Sequence, residues 1–177
     1  MTTATVVVIG AGPAGLMAAE VLAGAGVPVA VYDAMPSVGR KFLMAGKGGM
    51  NITHAEPWPA FVARYGPQRA CLTPCLAAFG PDQIREWMAG LGIASFVGTS
   101  GRVFPREMKA APLLRAWLQR LRGAGVRFHM RRRWLGWDAD GALRLAGPDG
   151  TQRVTARCTI LALGGGSWAR LGSDGAW

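Results

Sequence analysis

The feature that most constrains the fold is a strand–loop–helix–strand segment at residues 5–33. Val6–Ile9 is a charge-free, β-branched run typical of a strand buried on both faces, and it leads directly into GAGPAG at residues 10–15, a G-x-G-x-x-G pattern. The apolar residues that follow predict a helix packed on a sheet. Val29–Tyr32 predicts a second buried strand, with Asp33 at its carboxyl end. This order of elements predicts a parallel βαβ unit built around a glycine turn.

Each glycine of this loop, and the acid that follows it, has a physical reason in nucleotide binding. Gly10 permits the tight turn off the strand, Gly12 lets the backbone approach a pyrophosphate, and Gly15 lets the helix lie close to the sheet. The helix N-terminus then offers unpaired N–H groups to the phosphates. Asp33, 18 residues beyond Gly15, can accept both hydroxyls of an adenosine ribose. The segment therefore predicts a dinucleotide site, and the acid at position 33 argues against a ribose 2′-phosphate.

Length and composition set broad limits on the class of protein. A chain of 177 residues, half of them hydrophobic, fits one domain or one domain with an excursion. Glu20 interrupts the best apolar stretch, so no membrane span is predicted, and the first residues do not resemble a secretory signal. The three cysteines, Cys71, Cys75 and Cys158, do not form a disulfide framework, and we interpret them as small buried hydrophobes of a cytoplasmic protein. No metal site is predicted.

The positive charge is concentrated in one segment. The formal net charge is +10, and residues 102–133 contain ten Lys or Arg against a single acid, Glu107. Such a run is compatible with a nucleic-acid footprint or with a solvated arginine-rich surface. Few aromatic residues interleave with these cations and no nucleic-acid motif accompanies them, so we favour the solvated surface and do not expect a nucleic-acid partner.

Prolines punctuate residues 55–93, which predict a helical excursion with helices beginning near Thr73-Pro74 and Pro81-Asp82. Beyond it, residues 95–98 and 102–105 predict a hairpin. A helix follows, because apolar residues recur at helical spacing from Leu113 to Leu121.

The last part of the chain predicts a small antiparallel meander over residues 134–156. Its turns are marked by the hairpin dipeptides Asp140-Gly141 and Asp149-Gly150. Cys158–Leu163 then predicts another buried strand, which ends in a second glycine turn. Because both glycine turns follow parallel strands, we expect them at the same edge of the sheet.

Three long phrases carry a resemblance to a known family: GRKFLMAGKGGMNITH at residues 39–54, GRVFPREMKAAPLLRAWLQRL at 101–121 and LALGGGSWARLGSDGAW at 161–177. The chain resembles the FAD-binding domain of two-dinucleotide-binding-domain flavoproteins. More closely, it resembles the BaiN-like family of NAD(P)/FAD-dependent oxidoreductases, which also includes aminoacetone oxidase. The resemblance implies an α/β, Rossmann-like FAD-binding domain over residues 1–177. Its parts would be a parallel sheet, a three-stranded antiparallel meander and the helical excursion.

The resemblance also implies which residues contact FAD. The glycine loop would hold the pyrophosphate, Asp33 the adenosine ribose, and Arg40 and Lys41 the ribityl-phosphate path. Residues 46–51 would approach the flavin ring, Trp134 would contact adenine through its backbone, and residues 162–165 would form a second turn against the cofactor. The implied cofactor-binding residues are Gly10, Gly12, Pro13, Ala14, Gly15, Asp33, Arg40, Lys41, Gly46, Gly48, Gly49, Asn51, Trp134, Ala162, Leu163, Gly164 and Gly165.

Two departures from the family pattern stand out. Many members have an Arg-Cys pair before the asparagine, where this chain has Gly49-Met50. The family also continues into a substrate-side domain beyond the point where this sequence stops, so we expect an incomplete FAD-binding domain.

The function implied is that of an FAD-dependent oxidoreductase, or its FAD-binding part, with NAD(P)H as a candidate electron donor and no catalytic residue identified. Three alternatives are open: a truncated nucleotide-binding module without turnover, a basic nucleic-acid-binding protein, and a dehydrogenase that uses NAD alone. Substrate, electron acceptor and oligomeric state are not indicated.

Overall fold

A computed structural model describes residues 6–45, 48–166, 168–171 and 175. The chain forms two compact units, one from residues 1–43 and 118–177 and the other from residues 44–117. Within the described ranges, no helix is both long enough and apolar enough to cross a bilayer.

Ten strands and six α-helices are described, together with short 3-10 turns at Gly66–Gln68 and Ala169–Leu171. In chain order they are β1 (Val6–Ile9), α1 (Pro13–Gly24), β2 (Val29–Asp33), α2 (Arg40–Met44), β3 (Thr53–His54), α3 (Trp58–Ala63), α4 (Arg69–Ala78), α5 (Pro81–Gly90), β4 (Ser95–Val97), β5 (Arg102–Pro105), α6 (Ala110–Gly123), β6 (Arg127–Met130), β7 (Arg133–Trp137), β8 (Leu143–Gly147), β9 (Gly150–Val154) and β10 (Cys158–Leu161).

The first unit is built on a parallel four-stranded sheet with the order β10-β1-β2-β6. The residues of β1 are all buried, as expected for an apolar strand at the centre of a parallel sheet. Ile9 pairs with Tyr32 on one side and with Leu161 on the other, so the carboxyl ends of three neighbouring strands are level. The loops that follow these strands therefore begin at one edge, and the expected Rossmann-like α/β fold is confirmed.

A three-stranded antiparallel sheet, β7-β8-β9, covers part of this parallel sheet. Leu143 and Leu145 of β8 are buried in one cluster with Val7, Ile9 and other residues of β1 and β2. Both predicted turns are present, and Gly141 and Gly150 have φ values of +78° and +98° that favour glycine. The meander expected from the sequence is confirmed as part of the fold.

β10 does not match the buried strand expected at 158–163. It ends at Leu161, its Cys158 is exposed and Leu161 is 45% exposed. The reason is its position, because β10 lies at the edge of the four-stranded sheet and pairs on one side with β1. An apolar composition fits both a central strand and an edge strand, so composition does not distinguish them.

The interpretation of the cysteines as buried hydrophobes is wrong. Cys71, Cys75 and Cys158 are all free and exposed. The first two lie on α4, a helix that buries none of its residues. Cysteine is buried in most proteins, but these three cysteines lie on a solvent-exposed helix and on an edge strand.

The second unit combines helices α3–α5 with the three-stranded antiparallel sheet β3-β5-β4. The expected hairpin is present, with Phe96 opposite Phe104. One expected helix start is wrong: α4 begins at Arg69, and Pro74 lies inside it. Proline is tolerated in a first turn, which made Thr73-Pro74 resemble a start, but Thr73 Oγ1 donates to the Arg69 carbonyl 2.7 Å away, inside a turn that has already formed.

Candidate functional site: a cleft at the carboxyl edge of the sheet

The loops after β1, β2, β6 and β10 line one open cleft in the first unit, with a volume of about 980 Å³ including its solvent-filled mouth. Carboxyl ends of parallel strands are where open α/β sheets bind ligands. The residues implied for FAD binding that line this cleft are Gly10, Gly12, Pro13, Ala14, Asp33, Arg40, Lys41, Trp134, Ala162, Leu163 and Gly164. The two glycine turns, distant in sequence, are therefore brought to one place.

Two glycines of the loop are required by the protein itself. Gly10 has φ +107°, and a Cβ there would lie 2.2 Å from the carbonyl oxygen of Ala162, at the other glycine turn. A Cβ on Gly15 would lie 1.9 Å from the Gly10 carbonyl oxygen, so Gly15 allows α1 to begin close against the loop. Gly15 is buried and does not line the cleft. These two positions shape the turn.

Gly12 is different. It is the residue before α1, its backbone is extended, and a Cβ built on it meets nothing within 4 Å. Gly12 lines the cleft, so the space in front of it belongs to the cleft. The protein itself gives no steric reason for glycine here, whereas close approach of a phosphate to the backbone gives one.

Asp33 connects the loop to the end of β2. Its Oδ2 accepts the Ala11 N–H at 2.6 Å, and its Oδ1 accepts the Met35 N–H at 2.7 Å. A carboxylate has about four acceptor positions, so each oxygen keeps capacity for one ribose hydroxyl. The side chain thus holds the glycine loop in place and still presents acceptors at the cleft wall.

Two buried donors at the cleft wall lack partners. Arg40 Nε and Trp134 Nε1 are buried, and neither has a hydrogen-bond partner within the described part of the chain. Both residues line the cleft. Buried donors are normally satisfied, so these two unpaired atoms are exceptions, but each exposes less than 1 Å² and neither faces the open space of the cleft. The open space at Gly12 and the spare acceptors of Asp33 fit FAD, which carries phosphates and ribose hydroxyls.

The loop expected beside the flavin ring, residues 46–51, belongs to the second unit. Gly46 is outside the described residues, and Gly48, Gly49 and Asn51 belong to the second unit. Gly49 has φ +144°, and a Cβ there would lie 2.4 Å from Met108 Cε. Asn51 Nδ2 donates to the carbonyl oxygens of Thr53 at 2.7 Å and Val103 at 3.1 Å. Within their own unit Asn51 links two backbone segments and Gly49 leaves room for the Met108 side chain, and the contact of either residue with flavin stays a prediction.

At the second turn, Ala162, Leu163 and Gly164 line the cleft, whereas Gly165 does not. Ala162 N–H donates to the Ile9 carbonyl at 2.8 Å, which fixes this turn beside the first one. Ala162 and Leu163 are half-buried, and Gly164 is exposed.

Arg132 is a cleft residue that sequence reasoning did not single out. Its N–H donates to the Asp33 carbonyl at 2.8 Å, and its guanidinium donates to Asp149 at 3.0 Å. It lies in the basic segment that we interpreted as solvated surface. The sequence signal for Arg132 is its position between the end of β6 and the start of the meander, because loops after parallel strands line such clefts.

Behind the cleft wall, His129 stacks on Tyr32 with ring centroids 4.4 Å apart. Burial, aided by the cations Arg127 and Arg132, lowers the pKa of His129 below 6.5. Burial also raises the pKa of Tyr32, against the opposing effect of the same two arginines. The pair packs at the end of the sheet, in surroundings that favour the neutral imidazole over the charged one and so lower its pKa.

Comparison with known proteins agrees with this architecture. One curated relative, a ribosomal RNA dihydrouridine synthase of Haemophilus influenzae, is 44% identical over 61 residues, which is 34% of this chain and 15% of that protein. Among solved structures, an open conformation of a flavocytochrome c3 fumarate reductase has a TM-score of 0.71 at 23% identity and is matched over 92% of this chain and 34% of its own. THI4 of Thermovibrio ammonificans has a TM-score of 0.62 at 16% identity, over 92% of this chain and 58% of its own. The chain thus spans only part of each of these proteins.

The expected resemblance is confirmed at the level of a broader family, while the narrower BaiN-like grouping stays a prediction. The family description "HI0933-like protein Rossmann domain" matches residues 4–177, nearly the whole chain. FAD, the expected cofactor, is supported by this match and by the cleft that fits it. The chain therefore belongs to the HI0933-like family, and it corresponds to the Rossmann domain of that family.

Proposed function

We propose that this chain binds FAD and forms the FAD-holding part of an FAD-dependent oxidoreductase. The observation that carries the proposal is the open space in front of Gly12, which lies in the same cleft as the spare acceptors of Asp33. Bound FAD would supply the redox chemistry, accepting or donating a hydride or an electron pair. A module that binds nucleotide without turnover is the less favoured reading, because the family and the shared fold point to flavoproteins.

The residues of the chain would bind and orient the cofactor. The N–H groups at the start of α1 would face the pyrophosphate, and Asp33 would accept the ribose hydroxyls. Arg40 and Lys41 would add positive charge along the phosphates, and residues 162–164 would close the far side of the cleft. The residues that the resemblance implies beside the flavin ring, Gly46, Gly48, Gly49 and Asn51, stay part of the proposal on that ground alone.

A matched pair of glycine variants tests the proposal. Gly12 and Gly24 lie at opposite ends of α1, and a Cβ on either one meets nothing within 4 Å, but only Gly12 lines the cleft. The wild-type protein should turn yellow with FAD and release it on denaturation. Gly12→Ala should weaken FAD binding by about 1–3 kcal/mol because its methyl group occupies the space of a phosphate, and Gly24→Ala should not.

Fluorescence titration of FAD against the three proteins measures the difference. A wild-type protein that cannot be reconstituted with FAD contradicts the proposal. Equal FAD affinity in Gly12→Ala and wild type contradicts the placement of the pyrophosphate at this loop.

The electron donor is a separate question. NAD(P)H is the donor that the resemblance implies, and Asp33 disfavours a 2′-phosphate in this cleft. Mixing the FAD-loaded protein anaerobically with NADH or NADPH should bleach the flavin colour if either is the donor. Unchanged colour with both would remove NAD(P)H from the proposal and leave FAD binding intact.

A base in RNA is a candidate substrate, and one observation favours it. The curated relative that matches over 61 residues is named for dihydrouridine synthesis in ribosomal RNA, a reduction of a uracil base. The segment 102–133, with its ten cations, offers charge for an RNA backbone. Dihydrouridine formation in a uridine-containing RNA, assayed with the FAD-loaded protein and a reductant, tests this candidate.

A further inference from the structure

We propose that a pocket in the second unit binds a small aromatic carboxylate, with the ring of the ligand against an apolar wall and its carboxylate at Arg102. Helices α3, α4 and α5 and strands β3 and β5 contribute residues to this pocket, which has a volume of about 770 Å³ including its open mouth. All the lining residues fall within 44–117, so the inference does not depend on FAD binding in the first unit.

One wall of the pocket is apolar and mainly aromatic. Its side chains are Phe61 and Tyr65 of α3, Leu76 of α4, Phe79 directly after α4, and Ile84 of α5. Phe61 and Tyr65 are four residues apart on one helix face and meet edge to face, with ring centroids 5.8 Å apart. Four of the five side chains are half-buried and Phe79 is 38% exposed, so a ring placed against them would remove apolar surface from water.

The turn between α4 and α5 fixes this wall. A Cβ on Gly80 would lie 2.5 Å from the Leu76 carbonyl oxygen and 3.4 Å from the Trp58 ring, so the turn packs closely enough to require glycine. The Gly80 N–H donates to Gln83 Oε1 at 3.1 Å, which ties the turn to the first turn of α5. A wall that is already ordered adds little entropic cost when a ligand binds.

The charges at the pocket leave one cation without a protein partner. Arg64 donates from Nε and Nη2 to the two carboxylate oxygens of Glu56, so this pair is neutral as a whole. Arg102 is exposed and makes no ion pair within the described part of the chain, where no Asp or Glu lines the pocket. An exposed arginine is ordinarily solvated, but beside an apolar wall it selects an anion, and its planar guanidinium matches a carboxylate.

The polar side chains of the pocket favour a simple carboxylate over a nucleotide. Both donors of Asn51 Nδ2 are already bonded to backbone carbonyls. His54 Nε2 donates to the Ser100 carbonyl at 3.0 Å, and His54 Nδ1 accepts the Glu56 N–H at 3.2 Å. Recognition of a nucleobase needs hydrogen bonds to its edge, and these nitrogens are occupied. The wall therefore offers contact for a ring and one charge for an anion.

The first test compares three ligands on the wild-type protein by calorimetric titration. Phenylacetate carries both the ring and the charge, phenylacetamide keeps the ring without the charge, and acetate keeps the charge without the ring. Phenylacetate should bind about tenfold or more tightly than either of the others, because a hydrogen bond to a charged group and an apolar ring are each worth at least that much. FAD in excess occupies the cleft of the first unit, whose Arg40 and Lys41 would also attract an anion.

The second test uses a matched pair of arginine variants. Arg102→Gln removes the cation at the pocket, whereas Arg106→Gln removes an exposed cation of the same unit that does not line it. Arg102→Gln should weaken phenylacetate by about tenfold and leave phenylacetamide unchanged, and Arg106→Gln should change neither affinity. Thermal unfolding of both variants checks that they fold, and the ligand comparison on the wild-type protein decides the inference if Arg102→Gln does not.

The outcomes separate this inference from the proposed function. Phenylacetate that does not bind, or that binds no more tightly than phenylacetamide, overturns the inference, as do equal affinities for phenylacetate in Arg102→Gln and Arg106→Gln. Uridine monophosphate that binds more tightly than phenylacetate and is lost in Arg102→Gln would make the pocket a nucleotide site and also overturn it. A protein that does not bind FAD overturns only the proposed function, and the same titrations without FAD then decide the role of Arg102.

Discussion

Gly10 and Gly12 are two residues apart in one loop, yet the loop needs glycine at the two positions for different reasons. Gly10→Ala would place a methyl group against the Ala162 carbonyl in a backbone region that disfavours side chains. We expect it to lower the free energy of unfolding by about 2 kcal/mol or more without any ligand. Gly12→Ala should cost less than about 1 kcal/mol, because alanine is only a poorer N-cap.

Urea unfolding of the ligand-free protein measures both costs. Equal losses in the two variants would contradict the assignment of Gly10 to the fold and Gly12 to the ligand. The G-x-G-x-x-G spacing predicted the turn correctly, but it could not say which glycines face protein atoms, because that depends on the distant Ala162 turn.

At His129, the structure predicts a pH dependence of stability. Burial and two nearby arginines lower the pKa of its imidazole below 6.5, so the unfolded chain binds the proton more readily than the folded one. The contribution of His129 to stability is therefore fully present above about pH 6.5 and falls as the pH drops below that value. His129→Phe keeps the stack on Tyr32 and removes the titration.

The measurement is the free energy of unfolding at about pH 7.5 and about pH 5.5, on either side of the ordinary histidine pKa. The loss of stability on acidification should be smaller in His129→Phe than in wild type. Identical losses would mean that His129 titrates equally in the folded and unfolded chains.

At the scale of elements, α1 and α6 are joined by an ion pair between residues 100 positions apart. Arg120 Nη1 lies 2.8 Å from Glu20 Oε1, and the two side chains are 34% and 18% exposed. Partial burial reduces screening, so we expect a coupling energy of about 1 kcal/mol that weakens as salt is added. A double-mutant cycle with Glu20→Gln and Arg120→Gln isolates it from the other interactions of Glu20.

The pair Arg132–Asp149 is the control, with a similar distance of 3.0 Å but with Asp149 82% exposed. Its cycle should give a smaller coupling. A coupling at Glu20–Arg120 that is no larger than that of the control would contradict a stabilising link between the helices.

The elements predicted best were those with a local signal. The βαβ unit, the hairpin and the Asp-Gly turns follow from periodicity and turn chemistry, and all are present. The predicted start of α4 at Thr73-Pro74 was wrong, because proline is acceptable both in a first turn and, at a cost, inside a helix. The exposure of β10 was missed because burial of a strand depends on its neighbours, which the strand's own composition does not encode.

For the whole molecule, sequence indicated a nucleotide-binding core with an excursion, but not where the chain divides. The second unit spans residues 44–117 and contains the predicted excursion at 55–93 together with the hairpin. The proline-rich composition marked only the helical part. The candidate site was predictable where motif residues share a sheet edge, whereas Arg132 required tertiary contacts to be recognised.

The charge of the whole molecule gives a last prediction, which tests the RNA candidate. Non-specific attraction depends on net charge, whereas a defined interface depends on where the cations are. Arg127→Gln/Arg131→Gln removes two exposed cations inside the basic segment, and Arg144→Gln/Arg157→Gln removes two exposed cations outside it. If single-stranded RNA lies along the segment, the first pair should weaken binding at about 150 mM salt and lower the slope of log K against log salt by about 1.4. The second pair should have a smaller effect on both the affinity and the slope. Equal effects of the two pairs would mean that the basic segment attracts RNA only through the net charge of the protein.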